Sequence, residues 1–237
     1  MDTRTLVALA LVGLGALSGC KETVDSQNIR TQGIAAILSA TAENDQETRL
    51  IATLKVGGDE SNTYVDLSGG DRIFASAGDQ RVEMKTQDTG VYEAKFNTAA
   101  EGTEFLVDLQ RETDDDAPAS RGTLPAPFAL TIGASQVSRA ADITVTWTPF
   151  DSKDDVRLEL NGPCIFLETI DVPGDTGTHT ILANSLQATG PSDQPPPTCD
   201  VEVTMTRSRS GTTDATFDSE SSFVLEQVRS GSFTSTP

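Results

Sequence analysis

Short runs in which apolar and polar residues alternate recur along this chain, and no segment shows a long helical period. Alternation places every second side chain on one face of a sheet, so each run predicts a short β-strand. Turn signals such as Ser68-Gly69-Gly70-Asp71 separate the runs, which follow one another at roughly ten-residue spacing. This rhythm is typical of a β-sandwich, and the predicted fold class is all-β. The predicted strands fall within residues 34–41, 50–56, 64–67, 73–75, 82–84, 91–96, 105–109, 128–132, 143–148, 156–160, 164–167, 178–182, 199–205 and 223–228.

Apolar residues make up only 36% of the chain, and aromatic residues 5%. A sheet with one face in water needs fewer apolar residues than a helical bundle does, so this composition fits folded β-domains with polar loops.

Residues 113–127 interrupt the strand pattern with an acidic run and three prolines. Such a stretch predicts a semi-rigid linker between two sandwich domains in tandem, at 33–112 and 128–237. The polar residues 20–32 predict a short flexible tether, and the serine- and threonine-rich end after residue 228 predicts a fraying tail.

The alternating stretch Ile143-Thr144-Val145-Thr146-Trp147 resembles an early strand of fibronectin type III and related immunoglobulin-like domains. The resemblance covers roughly residues 124–230. It implies that Trp147 is buried in the core of a sandwich. The cysteines differ from those of antibody domains, since both follow the tryptophan instead of flanking it.

The apolar run Leu6–Ala16 is eleven residues long. A helix needs about 20 apolar residues to span a bilayer, whereas a signal peptide needs only a short apolar region. Residues 1–19 therefore predict a signal peptide. A secretory peptide followed by an incidental cysteine, and an N-terminal membrane helix, are the alternatives.

The stretch Leu17-Ser18-Gly19-Cys20 resembles the lipobox of bacterial lipoproteins. The resemblance implies that the signal peptidase recognises Leu17, Ser18 and Gly19, cuts before Cys20, and leaves this cysteine acylated on its sulfur and amino groups. Several acyl chains anchor a protein stably in a membrane. Because residue 21 is lysine and not aspartate, the family's sorting habit favours the outer membrane of the bacterial cell envelope.

Two further cysteines remain, Cys164 and Cys199. An exported chain enters an oxidising compartment, so a disulfide between them is expected, with two free buried thiols as the alternative. The bridge would pin the proline-rich loop 190–198 to the second sandwich. Pro195-Pro196-Pro197 predicts a stiff loop, and a polyproline ligand is the other interpretation.

The formal net charge is −19. Such acidity disfavours binding to nucleic acid, because proteins neutralise its phosphates with lysine and arginine. It also disfavours docking on anionic lipid headgroups. The ordinary role of this charge is solubility at a crowded surface.

Catalytic and metal signatures are weak. His179 is the single histidine and falls in a predicted strand, and no G-x-S-x-G nucleophile elbow occurs. A zinc site needs more cysteine or histidine ligands than this chain offers, and no cofactor fingerprint is present. Acidic residues cluster where calcium could bind, although no EF-hand pattern exists and solvated loops are expected. These clusters are Asp114-Asp115-Asp116 and Asp151, Asp154 and Asp155.

The sequence therefore predicts a lipid-anchored envelope protein that acts as a non-catalytic binding or structural module. Its expected partners are the membrane, through the lipid, and another envelope or surface protein. The alternative is a lipid-tethered carbohydrate-active or other hydrolytic enzyme, which would need two facing carboxylates in a cleft. A calcium-stiffened spacer is a third hypothesis.

Overall fold

The structure, a computed structural model, describes residues 21–190 and 197–237. The predicted signal peptide, Cys20, Pro195 and Pro196 lie outside the described residues. Strands dominate the described chain, which confirms the all-β prediction. The helical segments there are two short 3₁₀ turns, Ser26–Asn28 and Thr31–Gly33. None of the described helices is long and apolar enough to cross a membrane.

Ten strands come before the second half of the chain, and seven of them overlap strands that the sequence predicts. They are β1 (Glu22–Asp25), β2 (Ala35–Ala42), β3 (Thr48–Lys55), β4 (Thr63–Asp66), β5 (Arg72–Ala77), β6 (Gln80–Glu83), β7 (Lys85–Asp88), β8 (Val91–Phe96), β9 (Glu104–Gln110) and β10 (Ala117–Thr123).

Eight strands follow in the second half. They are β11 (Ala129–Ile132), β12 (Gln136–Ser138), β13 (Ile143–Thr148), β14 (Asp155–Asn161), β15 (Glu168–Val172), β16 (Thr178–Ile181), β17 (Cys199–Ser210) and β18 (Ser222–Thr236).

The first sandwich packs two sheets face to face. One contains β1-β4-β3-β2-β18, with β8 paired to β3 and β7 to β8, and the other has the order β10-β9-β5-β6. Inward-facing apolar side chains of both sheets form one buried cluster. Phe96 and Phe105, from the two sheets, meet edge to face with ring centroids 5.5 Å apart.

The second sandwich uses the same construction. The strands β18-β17-β14-β15 continue the large sheet, and the strands β11-β13-β16 form the opposing layer. Trp147 on β13 is 3% exposed and belongs to the buried cluster between the layers, as the resemblance implies.

A single long hairpin joins the two sandwiches. β17 and β18 pair without interruption from Cys199↔Ser235 to Ser210↔Val224. At one end of this ladder, Phe223 and Leu225 enter the core of the first sandwich. At the other end, Phe233 enters the core of the second. The two halves therefore share one continuous sheet instead of standing as separate domains on a linker.

The structure corrects the domain boundaries expected at 33–112, 113–127 and 128–237. The segment for which the sequence predicts a linker contains β10, which pairs with β9, and its Ala117, Ser120 and Leu124 are fully buried. Ala117 and Ser120 are small and the exposed residues of the segment are mostly polar, so its composition alone resembles that of a linker. The start of β18 also belongs to the first sandwich, because Ser222–Gln227 pairs in parallel with β2.

Both ends of the described part of the chain, residues 21–33 and 229–237, are also more ordered than the sequence suggests. Residues 21–33 form β1 and the two 3₁₀ turns, with Ser26 and Thr31 fully buried, so this part of the expected flexible tether is fixed. The expected fraying tail is the second half of β18, where Phe233 and Ser235 are buried. Polar side chains with hydrogen-bond partners replace apolar ones in both segments.

The topology sets two opposite ends of the molecule. Lys55 at the end of β3 pairs with Tyr64, so the β3–β4 loop, Lys21 and the β7–β8 turn lie together at the end remote from the second sandwich. We call this end the proximal pole. The distal pole is the far end of the second sandwich, which carries Cys199, Cys164 and the end of β18.

Candidate functional site

Exposed apolar side chains concentrate at the distal pole. Phe166, Leu167 and Leu182 are 63%, 62% and 67% exposed. Among the described residues, Phe150 is the one other large apolar side chain with comparable exposure, at 59%, and it lies beside Gly177, where β11 and β13 approach the first sandwich. Grouped exposed apolar residues are typical of interaction surfaces, whereas scattered ones are ordinary.

The backbone around these side chains is held firmly. The disulfide expected between Cys164 and Cys199 is present, with Cα atoms 5.6 Å apart. Thr189 donates its backbone N–H to the oxygen of Cys164 at 3.0 Å, and Phe166 donates to Gln187 at 3.0 Å. The loop that presents Phe166 and Leu167 is therefore fixed to β17 by the disulfide and to residues 187–189 by backbone hydrogen bonds.

Arg139, for which the sequence gives no functional signal, completes this scaffold. Its side chain is largely buried and donates through Nη1 to Ser235 Oγ at 2.9 Å and through Nη2 to the Pro197 oxygen at 3.0 Å. Its backbone oxygen accepts a bond from the Asn184 N–H at 2.6 Å. One arginine thus connects the disulfide region, the end of β18 and the turn that carries Leu182.

A second polar cluster lies where the two sandwiches meet. Arg207 is fully buried and donates through Nη1 to the Ala126 oxygen at 2.8 Å and through Nη2 to the Pro149 oxygen at 2.7 Å. Nη2 also lies 2.9 Å from Oδ2 of Asp175, and the guanidinium sits 4.9 Å from the centre of the Phe128 ring. A buried charge needs this degree of compensation.

Asp175 is held ionised by its donors. Trp147 Nε1 donates to Oδ1 at 2.5 Å, and the Ser152 N–H donates to Oδ2 at 3.0 Å. Burial alone raises the pKa of Asp175, but the bonds from Trp147 and Ser152 and the charge of Arg207 outweigh it, so the pKa lies below its ordinary value. The core tryptophan of the second sandwich is thus tied to the junction.

A third contact joins the sandwiches from the side. Arg209 binds both carboxylate oxygens of Asp154, at 2.6 and 2.9 Å, and donates through Nη1 to Thr123 Oγ1 at 3.1 Å. Bidentate arginine–carboxylate pairs are among the stronger polar contacts in proteins. Asp154 therefore has a structural partner, whereas the sequence predicts a solvated loop at this position.

Two other acidic candidates, Asp114 and Asp116, accept hydrogen bonds from the backbone. Asp114 accepts from the Thr31 N–H at 2.5 Å, and Asp116 accepts from the Arg111 N–H at 2.6 Å. Within residues 21–190 and 197–237, no three His, Cys, Asp or Glu side chains converge as a metal site would require. His179 lies half-buried on β16, an edge strand, as the sequence predicts.

A groove of about 760 Å³ runs over the outer face of β14, β15, β17 and β18. Its charged lining includes Asp155, Glu159, Glu226 and the exposed pair of Arg157 with Asp171. A general acid would need a raised carboxyl pKa. The carboxyl groups of the described residues with a displaced pKa have it lowered, and these are Asp88, Glu93, Asp114, Asp175 and Asp214.

No protein-family model matches this chain, and no curated protein matches it in sequence. Among solved structures, 183 chains match. One is a segment of two fibronectin type III domains from chicken tenascin, 11% identical, aligned over 82% of this chain and 98% of that chain with a TM-score of 0.25. Another is a Salmonella alpha-2-macroglobulin variant, 10% identical, aligned over 88% of this chain and 15% of that chain with a TM-score of 0.26. Neither alignment is close enough to transfer a function, and the sandwich architecture rests on the strand pairing and cores described above.

Proposed function

We propose that this chain is a lipid-anchored, non-catalytic protein of the bacterial cell envelope, with the outer membrane as its expected location. Two joined immunoglobulin-like sandwiches form a rigid body that binds an envelope or surface protein through the distal pole. The lipid on Cys20 is the membrane attachment.

The observation that carries the binding role is the placement of Phe166, Leu167 and Leu182. Three of the four large exposed apolar side chains of the described residues lie at one pole. Arg139 and the Cys164–Cys199 bridge order the loops beneath them, so binding would cost little conformational entropy. Buried aromatic anchors within such a surface supply most of the affinity of a protein interface.

The non-catalytic part of the proposal rests on how the polar groups are used. The buried charged groups at the junction, Arg207 and Asp175, are bound to each other and to backbone groups. The large groove is open, and its arginine is bound to one of its carboxylates at 2.7 Å. These are the arrangements of structural ion pairs, which perturb pKa values without catalysis.

The test is a cross-linked pull-down from envelopes solubilised in mild detergent. The affinity tag is inserted at Gly78–Asp79 in the β5–β6 turn, where a side chain on Gly78 meets nothing within 4 Å. Wild type is compared with Cys20→Ala and with the triple variant Phe166→Ser, Leu167→Ser, Leu182→Ser. Phe150→Ser is the matched control, because it removes an equally exposed aromatic away from the distal pole.

We expect one protein to co-purify with wild type and with Phe150→Ser, and to be lost with the triple variant. Mass spectrometry of the N-terminal peptide should show acylated Cys20 in wild type. A partner retained by the triple variant would remove the distal pole from the proposal. Wild type that carries no lipid on Cys20 would overturn the anchoring.

A further inference from the structure

The connection between Cys20 and the folded body is very short. β1 begins at Glu22, so a single residue, Lys21, separates it from the cysteine. Consecutive Cα atoms lie about 3.8 Å apart, and two peptide steps therefore span at most about 7 Å. A lipid attached at Cys20 would place the bilayer surface within that distance of β1.

β1 itself is firmly part of the first sandwich. It pairs in parallel with β4 from Glu22↔Thr63 to Asp25↔Asp66, and the Glu22 N–H donates to the Asn62 oxygen at 3.0 Å. Lys21 forms an ion pair with Asp88 of the β7–β8 turn, and its ammonium lies 5.0 Å from the centre of the Tyr64 ring. The residue nearest the anchor is thus held by contacts.

The segment that follows β1 is clamped by Arg111, whose side chain is fully buried. Arg111 donates to the backbone oxygens of Ser26 at 2.7 Å and Ile29 at 2.9 Å, and to Thr31 Oγ1 at 2.9 Å. Its Nε also lies 2.7 Å from Asp71. Residues 22–31 therefore cannot lengthen the tether unless this arginine releases them.

From this geometry we infer that the proximal pole rests directly on phospholipid headgroups, and that the long axis of the molecule points away from the membrane. The inference rests on the proposed lipid anchor and adds the orientation and the contact surface. β18 alone, with fifteen residues, is about 50 Å long. The exposed side chains Phe166, Leu167 and Leu182 would then stand up to about that far from the bilayer.

The contact surface is not cationic. Lys21 and Lys55 are each paired with an acid, and Glu22, Asp59 and Glu60 are exposed around them. Such a surface is not attracted electrostatically to anionic lipids, because like charges within a Debye length of about 8–10 Å repel each other. Attachment of the pole to the membrane would come from the acyl chains alone.

The experiment is energy transfer between a labelled protein and acceptor-labelled lipids. Lipidated full-length protein is reconstituted into phosphatidylcholine vesicles that carry a headgroup acceptor on the outer surface. A donor dye is placed at Glu60→Cys in the β3–β4 loop or at Gln187→Cys beside Phe166, both of which are exposed. A third protein carries Glu60→Cys and a twelve-residue glycine-serine insertion between Cys20 and Lys21, which adds about 20 Å of flexible chain.

We expect several-fold stronger transfer from position 60 than from position 187, and a clear loss of transfer at position 60 once the spacer is inserted. Equal transfer from both positions in acylated protein would overturn the orientation while leaving the lipid anchor intact. Transfer at position 60 that the spacer does not change would overturn the claim that the short connection sets the contact. Protein without acylated Cys20 would overturn the proposed anchor together with this inference, and mass spectrometry separates that case.

Discussion

Arg207 and Gln227 are directly opposed in the register of β17 and β18, and both are fully buried where the two sandwiches meet. They bind neighbouring carbonyl groups of one crossing segment: Gln227 Nε2 donates to Pro125 at 3.2 Å and Arg207 Nη1 donates to Ala126 at 2.8 Å. Gln227 also donates to Ala99 at 2.8 Å, in the first sandwich. This pair therefore fastens the connection between the sandwiches to the strands that run through both.

Replacing Arg207 by methionine should destabilise the whole chain. The substitution removes bonds to two backbone oxygens and leaves Asp175 buried without its cation. Removing one partner of a buried ion pair costs about 3–5 kcal/mol. Urea unfolding followed by tryptophan fluorescence measures this, because Trp147 bonds to Asp175. Arg157→Met, which breaks an exposed pair, is the control and should leave the midpoint essentially unchanged. A loss no greater than the control's would contradict the structural role of Arg207.

The double variant Arg207→Met, Asp175→Asn distinguishes the cost of losing the ion pair from the cost of losing the hydrogen bonds to the backbone. If Arg207→Met is destabilising mainly because it leaves the Asp175 carboxylate buried without a cation, neutralising Asp175 should restore part of the lost stability. The effects of the two substitutions on the free energy of unfolding will then not be additive. Strict additivity would show that the arginine acts through its backbone bonds alone.

Asp175 predicts a particular dependence of stability on pH. Its pKa in the folded protein lies below the ordinary value of 3.8, so the folded state binds its proton less readily than the unfolded state does. The stabilisation of the fold by ionised Asp175 is therefore complete at pH values above its ordinary pKa. It disappears as the pH falls through the lowered pKa of the folded state. Asp175→Asn should be less stable than wild type at neutral pH, and the difference should shrink as pH is lowered below about 4. A difference that is constant from pH 7 to 2.5 would contradict this assignment.

The alternation of apolar residues was sufficient to predict the fold class and most strands. Ile143, Val145 and Trp147, for example, are buried as their spacing requires. Alternation could not show that β18 serves two cores. Phe223 and Phe233 enter different sandwiches, and Gln227 and Arg229 between them interrupt the apolar pattern where the strand crosses the junction. Strand partners are set by long-range pairing, which the local sequence does not record.

The candidate surface was even less readable from the sequence. Phe166 and Leu167 follow Cys164 and Ile165 in one apolar run, for which the sequence predicts a strand. In the structure the first two residues of this run are buried and the last two are exposed. The difference arises because the chain turns out of the sandwich after the disulfide. Likewise, Arg139 carries no local signal, because its partners Ser235 and Pro197 are remote in sequence.

The Cys164–Cys199 bridge should contribute substantially to stability, since it closes a loop with a sequence separation of 35 residues. The chain-entropy relation gives about 4 kcal/mol for a loop of this length. The variant Cys164→Ala, Cys199→Ala should therefore lower the free energy of unfolding by about that amount. Reduced wild type should approach the stability of the double variant, and the double variant itself should not respond to reductant. A double variant as stable as oxidised wild type would contradict the estimate.

Arg111→Lys should release the segment between β1 and β2 without removing the charge. Lysine cannot bind Ser26 O, Ile29 O, Thr31 Oγ1 and Asp71 at once, because it lacks the planar fork of a guanidinium. Hydrogen exchange measured by mass spectrometry should therefore accelerate in peptides that cover residues 22–33, while peptides from β17 keep their protection. Arg81→Lys is the control, since its pair with Asp108 lies at the surface of the opposite sheet and should leave residues 22–33 unaffected. Unchanged exchange in residues 22–33 of Arg111→Lys would show that β1 pairing alone fixes the segment, and the spacer experiment would then be the remaining way to free the proximal pole from the membrane.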